Sequence, residues 1–302
     1  MGMKSTRREF LRKSAILATS GFAALGLKKK PALAFSTLGC PDWSFPEIIN
    51  FAAAHQYTGI ELRGIQHEMD LTQCAIFKTT RNRLDALQMM EEKGLHFVDL
   101  GSSANLHVAN LAEREKNLDE AKRFIDLAAE LKCPFVRVFP NIFPKDEDKR
   151  ETMDRMAKGL LVLADYARET KVSTLVETHG DLVRSADIER LMESASHPHA
   201  GLVWDVANMW TITREPPAEV YPRLSKYIKH THIKDAKIKD GNPAYVFLGR
   251  GEVPIFEAID ALAAGGYTGY YSFEWEKLWH PEIAEPAAAI ADYSQVMMKH
   301  FE

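Results

Sequence analysis

Ser173-Thr174-Leu175-Val176-Glu177-Thr178-His179-Gly180-Asp181 is a short β-branched and aliphatic run that breaks into acidic, histidine and glycine residues at its C-terminal end. An apolar run of this length closed by a polar cluster fits a buried parallel strand that delivers side chains to the rim of a sheet. The same unit recurs outward from it. Leu33 to Leu38, Gly59 to Arg63, His96 to Leu100, Phe135 to Phe139, Leu202 to Asp205, Ile228 to Lys234 and Tyr270 to Glu274 have the same character, which makes eight strands. Helical spacing fills the gaps at Phe45 to His55, Arg81 to Lys93, Arg114 to Leu131, Lys149 to Thr170, Pro254 to Ala264 and Glu285 to Phe301. Strand and helix alternating in this way is the pattern of βα units. Eight of them in about 250 residues predict a single-domain α/β protein, a (β/α)8 TIM barrel. Leu84, Leu87 and Met90, and then Leu118, Ala121, Ile125 and Ala128, are expected to be the core-facing stripes of two of its helices.

Composition agrees with a globular chain: 302 residues, 46% hydrophobic and 26% charged, which excludes disordered, collagen-like and disulfide-scaffold classes. Length alone is compatible with two domains, but no linker or composition shift divides the chain. Cys40, Cys74 and Cys133 are odd in number and unrelated in spacing, so neither a disulfide framework nor a zinc knuckle is expected.

The N-terminus has a different character. Ser5-Thr6-Arg7-Arg8-Glu9-Phe10-Leu11-Arg12-Lys13 followed by the apolar stretch Ser14 to Leu27 reads as a twin-arginine signal peptide. Ala32-Leu33-Ala34 offers a small-residue cleavage site, so residues 1–34 are expected to be the signal and 35–302 the barrel, a periplasmic protein with no stable membrane anchor after processing. The remainder then carries 30 basic and 41 acidic residues, a surface that repels phosphate backbones and argues against nucleic acid as a partner.

Barrel enzymes place their chemistry at the C-terminal ends of the strands. Alternation puts Glu177 on one face with Leu175, His232 with His230 and Lys234, and Glu274 with Ser272 and Glu276. Adjacent strands can therefore bring Glu177, Asp205, His232 and Glu274 to one point. Three carboxylates cannot be buried together without a compensating cation, so one divalent metal ion is expected there. Oxygen-rich ligands with one imidazole suit Mn, Mg, Co or Zn.

Together, Gly59-Ile60-Glu61-Leu62-Arg63, Val176-Glu177-Thr178-His179, Trp204-Asp205-Val206-Ala207-Asn208, His230-Thr231-His232-Ile233-Lys234-Asp235, Leu248-Gly249-Arg250-Gly251-Glu252-Val253-Pro254 and Phe273-Glu274-Trp275-Glu276 resemble the xylose isomerase-like TIM barrels, which include sugar phosphate isomerases and epimerases. The resemblance spans nearly the whole chain after the signal. It implies the same four ligands, and a catalytic role for Glu177 and Glu274 as a proton-transfer pair on opposite faces of a carbohydrate substrate. The expected reaction is isomerisation or epimerisation by proton abstraction next to a carbonyl, through a metal-stabilised enediolate. The chain departs from the ketose 3-epimerases of that family at Val183, Ile238 and Asn208, where those members carry Glu, Arg and His that contact sugar hydroxyls.

Several further residues are candidates for substrate contact: His179, Asn208 and Lys234 near the ligands, Trp43 and His107 as ring-stacking groups, and Arg250 in a glycine-rich turn able to meet an anion. Trp210 and Trp279 are further candidates for stacking, and Asp181, like His179, for acid–base work or substrate contact. Glu61 and Arg63 face inward together, as a structural pair or as substrate ligands, and His230 is expected to sit in the barrel core. Two other readings differ in chemistry. A β-eliminating lyase acting on 3-keto-glycosides would use the same metal and base and suits an exported protein, whereas a sugar-binding barrel without catalysis would keep the aromatics and lose the metal ligands. Apurinic endonuclease barrels, related in fold, require more inward histidines than this chain has.

Overall fold

The computed structural model describes residues 30–302. Eight parallel strands close a barrel: β1 (Leu33–Ser36), β2 (Gly59–Leu62), β3 (His96–Asn105), β4 (Phe135–Phe139), β5 (Ser173–Glu177), β6 (Ala200–Asp205), β7 (Ile228–Ile233) and, after an inserted hairpin, β10 (Tyr271–Phe273). Closure is between β1 and β10, with Leu33 opposite Tyr271 and Phe35 opposite Phe273. All eight expected strands are present, and the fold is the single (β/α)8 barrel that the alternation predicted.

The twin-arginine segment lies outside the described residues apart from its last few positions. Those positions belong to the fold. Leu33 and Ala34 are fully buried in β1, Ala34 pairing with Gly59 and Ser272, so a cut after Ala34 would remove half of the strand that closes the barrel. The barrel domain begins no later than Leu33.

Three short helices escape the periodicity reading: Ser185–Ser194, Val206–Thr213 and Pro217–Leu224. Each has at most three turns, too few to establish an apolar stripe, and the last contains Pro222. β8 (Asp235–Lys239) and β9 (Asn242–Val246) form an antiparallel hairpin directly after β7. Its turn is Asp240-Gly241, both with positive φ (51° and 80°), the geometry for which Asp-Gly is suited.

Helices pack their apolar sides on the outer face of the strands. Ala121, Ile125 and Ala128 are buried as expected, with Leu118 packed at the edge of the core. Leu84 is not: it is 57% exposed, while Met90 from the same helix (Thr80–Glu92) is buried. That helix buries only Ala86 and Met90 fully, so its buried face is narrower than the i, i+3 spacing suggested. All three cysteines are buried free thiols.

Candidate metal centre and active site

Glu177 ends β5, Asp205 ends β6, His232 lies one residue before the end of β7, and Glu274 follows β10. The parallel register, with Asp205 opposite His232 and Ser272 opposite His232, brings these strand ends to the same level. The four offer ligand atoms that lie within 4.8 Å of one another, and all four residues are buried.

His232 is the hub. Its Nδ1 is 3.3 Å from Glu274 Oε1, 3.4 Å from Glu177 Oε1 and 3.8 Å from Asp205 Oδ2, yet it makes no hydrogen bond. Ligand atoms sharing one ion at metal–ligand distances of about 2.0–2.2 Å sit about 3–3.5 Å apart. The first two separations match that spacing, and Asp205 is a few tenths of an ångström outside it. An imidazole nitrogen buried among three carboxylates without a hydrogen bond is the environment of a metal ligand, so these residues fit a divalent ion.

Neighbours hold each of the four in place. Glu61 Oε1 lies 3.2 Å from His232 Nε2, so the ring has an acid behind it and its Nδ1 edge turned toward the other three. Glu61 Oε2 in turn meets His230 Nε2 at 2.9 Å and accepts from Ser272 Oγ at 2.8 Å. Asp205 accepts from the Asn208 backbone N–H at 2.8 Å as the cap of the helix Val206–Thr213, and the Thr178 hydroxyl accepts its backbone N–H at 2.8 Å. Asn208 Nδ2 reaches Glu177 Oε1 at 3.4 Å. Arg137, inward on β4, sets its Nε 3.1 Å from Glu177 Oε2 and donates from Nη1 to the Ser102 carbonyl at 2.8 Å.

Lys234 is the second cation. Its ammonium is 2.8 Å from Asp205 Oδ2, and 2.5 Å from both Glu274 Oε2 and Glu276 Oε1. Tyr245, carried in by the hairpin, stands with its ring centroid 5.6 Å from that ammonium.

The charges respond to this crowding. Burial pushes the Asp205 carboxyl up, Lys234 opposes it, and Glu274 and Glu177 add to it, leaving it at about 7. Burial would also raise Glu177, but His232 and Arg137 outweigh it and hold its carboxyl below the usual range. Burial disfavours a charged His232, yet Glu274, Glu61 and Glu177 raise its pKa well above the ordinary value. In the absence of a metal, the protonated ring joins Lys234 and Arg137 in answering the acids.

Other candidates fall elsewhere. His179, half-buried, packs its ring 4.9 Å from Phe139 just beyond Glu177. Asp181 serves the fold, its carboxylate accepting the Phe143 N–H at 2.7 Å and tying the loop after β5 to the one after β4. His107 is half-buried beyond β3, and its carbonyl accepts from Arg155. Trp43 packs on Phe51 at 4.8 Å, Trp210 under the Arg214 guanidinium at 4.0 Å, and Trp279 is exposed.

Arg250 is not brought to the site. It pairs with Asp292 at 2.9 Å on the C-terminal helix Pro286–His300. The glycine-rich turn already holds an anion, the Asp235 carboxylate, which accepts the N–H groups of Gly249, Gly251 and Val253. A side chain at Gly251 would collide with that carboxylate. Glu61 and Arg63 do not pair with each other either, since Glu61 serves the histidines and Arg63 turns to Ser103.

Arg137 and Tyr245 escaped the sequence reading. Arg137 was accessible to it: in Phe135-Val136-Arg137-Val138-Phe139 a lone cation alternates with apolar residues, the same inward pattern that singled out Glu177. Tyr245 had no such signal, because its position depends on a hairpin folding back over the barrel.

Solved structures with this fold include the probable 3-DHS dehydratase AsbF involved in petrobactin synthesis from Bacillus anthracis (17% identity, TM-score 0.73, covering 88% of this chain and 98% of that one). Others are the 3-keto-D-glucoside 4-epimerase YcjR from E. coli (15%, 0.70, 89% and 99%) and D-psicose 3-epimerase from Clostridium cellulolyticum H10 (14%, 0.70, 89% and 98%). No curated protein matches the chain by sequence. The family model does: it covers residues 49–299, almost the whole barrel, and the chain belongs to the xylose isomerase-like TIM barrel family.

Proposed function

We propose that the protein is a divalent-metal-dependent isomerase or epimerase that removes the proton next to a carbonyl group of a carbohydrate, with Glu177, Asp205, His232 and Glu274 as the ligands. The observation that carries this reading is the buried, hydrogen-bond-free Nδ1 of His232 facing three carboxylates. The solved relatives that act as sugar epimerases support it at the level of reaction class.

A divalent ion bound there would polarise the substrate carbonyl and stabilise the negative charge that proton loss creates. Glu177 and Glu274 come from strands separated by β6 and β7, so they approach the centre from different sides. One removes the proton from the carbon beside the carbonyl; the other returns a proton to the opposite face. Each carboxylate is held by a cation at its Oε2, Arg137 for Glu177 and Lys234 for Glu274, which fixes the direction of its Oε1. The Lys234 ammonium has its three N–H groups on Asp205, Glu274 and Glu276, so its part is to hold those carboxylates in place.

A β-eliminating lyase on 3-keto-glycosides is the second reading. Two observations favour it: Asn208, Val183 and Ile238 replace the sugar-contacting residues of the ketose 3-epimerases, and the twin-arginine sequence would carry the protein away from sugar phosphates. We accordingly read the chain as a periplasmic protein exported by the twin-arginine route.

The test is solvent exchange. Metal-loaded protein incubated in deuterated water with keto-sugars and 3-keto-glycosides should place deuterium beside the carbonyl. An epimerase leaves the carbon skeleton intact, whereas a lyase releases the anomeric substituent with an unsaturated keto-sugar. Glu177→Gln and Glu274→Gln should each lower the rate by about a hundredfold or more. Absence of exchange with every carbonyl sugar would leave a binding barrel as the reading.

A further inference from the structure

Arg63 is a buried cation at the C-terminal end of β2 that the metal centre does not employ. It follows the last residue of β2 and is 6% exposed, with its backbone N–H bound to Thr37 Oγ1 at 2.9 Å. Its Nη2 donates to Ser103 Oγ at 3.1 Å, but its Nη1 is buried without a hydrogen-bond partner. No carboxylate stands within ion-pair distance of it among the described residues. Glu120, close enough to be felt, has its Oε1 engaged by the Ser103 backbone N–H at 2.7 Å.

A buried guanidinium without a counter-ion is costly, and here a second one lies beside it. Arg63 and Arg137 both lie by the Phe139 ring, 5.8 Å and 3.8 Å from its centroid. The space for both is made by Gly101 on β3. A Cβ there would come within 2.7 Å of Arg63 Cδ and 2.8 Å of Arg137 Nη2. Arg137 pairs with Glu177, while burial and the Arg137 charge bring Arg63 down to about 9 against the more distant pull of Glu177, Glu274 and Glu120. Among the described residues, no carboxylate makes direct contact with Arg63.

We propose that Arg63 receives a carboxylate of the substrate, so that the protein acts on an acidic keto-polyol, a sugar-acid derivative, rather than on a neutral ketose. The proposal rests on the preceding reading of the barrel mouth as a site for carbonyl compounds, and adds the substrate's charge. Nη1 with its two N–H groups can satisfy one carboxylate oxygen. A phosphate, with three oxygens and a greater charge, calls for more open donors than Arg63 retains. A carboxylate held at Arg63 would orient the polyol with its carbonyl toward Glu177 and Glu274, both near enough to Arg63 to stabilise its charge.

Three six-carbon probes separate the sources of negative charge: D-fructose, 5-keto-D-gluconate and D-fructose 6-phosphate, titrated calorimetrically into manganese-loaded protein. The keto acid should bind at least tenfold more tightly than fructose and more tightly than the phosphate. Arg63→Met should abolish that preference and Arg63→Lys should restore part of it. Because Met removes an unpaired buried charge, the melting temperature of Arg63→Met should be no lower than that of the native chain, and a marked fall would assign Arg63 to the fold instead. Equal binding of the acid and fructose, a preference for the phosphate, binding of none of the three, or a preference that survives Arg63→Met would each overturn the proposal. Proton exchange is scored separately. Acid binding through Arg63 without exchange would count against the isomerase reading alone, and exchange on neutral sugars without acid preference would count against this one alone.

Discussion

Arg137 Nε lies 3.1 Å from Glu177 Oε2, both side chains at most 2% exposed, on the neighbouring strands β4 and β5. Such a pair binds two neighbouring strands at the point where the chemistry is placed, and it leaves Glu177 Oε1 to face His232. Removing one member strands the other as a buried charge. Arg137→Met should therefore destabilise the protein by about 3–5 kcal/mol, read from urea unfolding. A loss near zero would mean that Glu177 is compensated from elsewhere.

Glu61 would act on the proposed metal centre through His232. If its carboxylate fixes the proton on Nε2, Glu61→Gln should weaken divalent-ion affinity by about 10- to 100-fold, the usual effect of losing such a partner. Calorimetric titration with Mn²⁺ or Zn²⁺ would read it. Unchanged affinity would show that the ring is oriented by β7 alone.

Metal binding should stabilise the protein more at pH 8 than at pH 5. Asp205, raised from 3.8 to about 7, and His232, raised well above 6.5, both carry protons in the metal-free fold at pH 5, and Asp205 has lost its proton by pH 8. Folded pKa values above the unfolded ones mean that these groups favour the folded state at low pH and that this contribution is lost as pH rises through the folded values. A bound ion takes the place of those protons, so its hold strengthens over the same interval. Melting temperatures with and without Mn²⁺ across pH 5–8 provide the check, and a pH-independent difference would place the ion elsewhere.

Export can be tested on the precursor. Arg7→Lys combined with Arg8→Lys should leave the protein in the cytoplasm, and fractionation would show it. Normal periplasmic levels of the double variant would exclude the twin-arginine route. Since Leu33 and Ala34 belong to β1, N-terminal sequencing of any exported form should find them retained.

The sequence by itself determined the repeating unit and the polar residues at its ends. Eight apolar runs alternating with helices admit one closed architecture, and strand alternation alone aligned Glu177, His232 and Glu274 on inward faces. Those are local properties, written in patterns of two and 3.6 residues. What depends on the tertiary structure is which groups answer which charges. Arg250 looked poised for an anion until Asp235 folded into its turn, and Glu61 and Arg63, two residues apart on one face, found separate partners, His230 across the barrel and Ser103 on the neighbouring strand. Lys234 bridging three acids and Tyr245 arriving on a hairpin are likewise contacts between distant segments. Charge pairing inside a barrel is a matter of a few ångströms across strands, and no spacing along the chain encodes a distance of that kind.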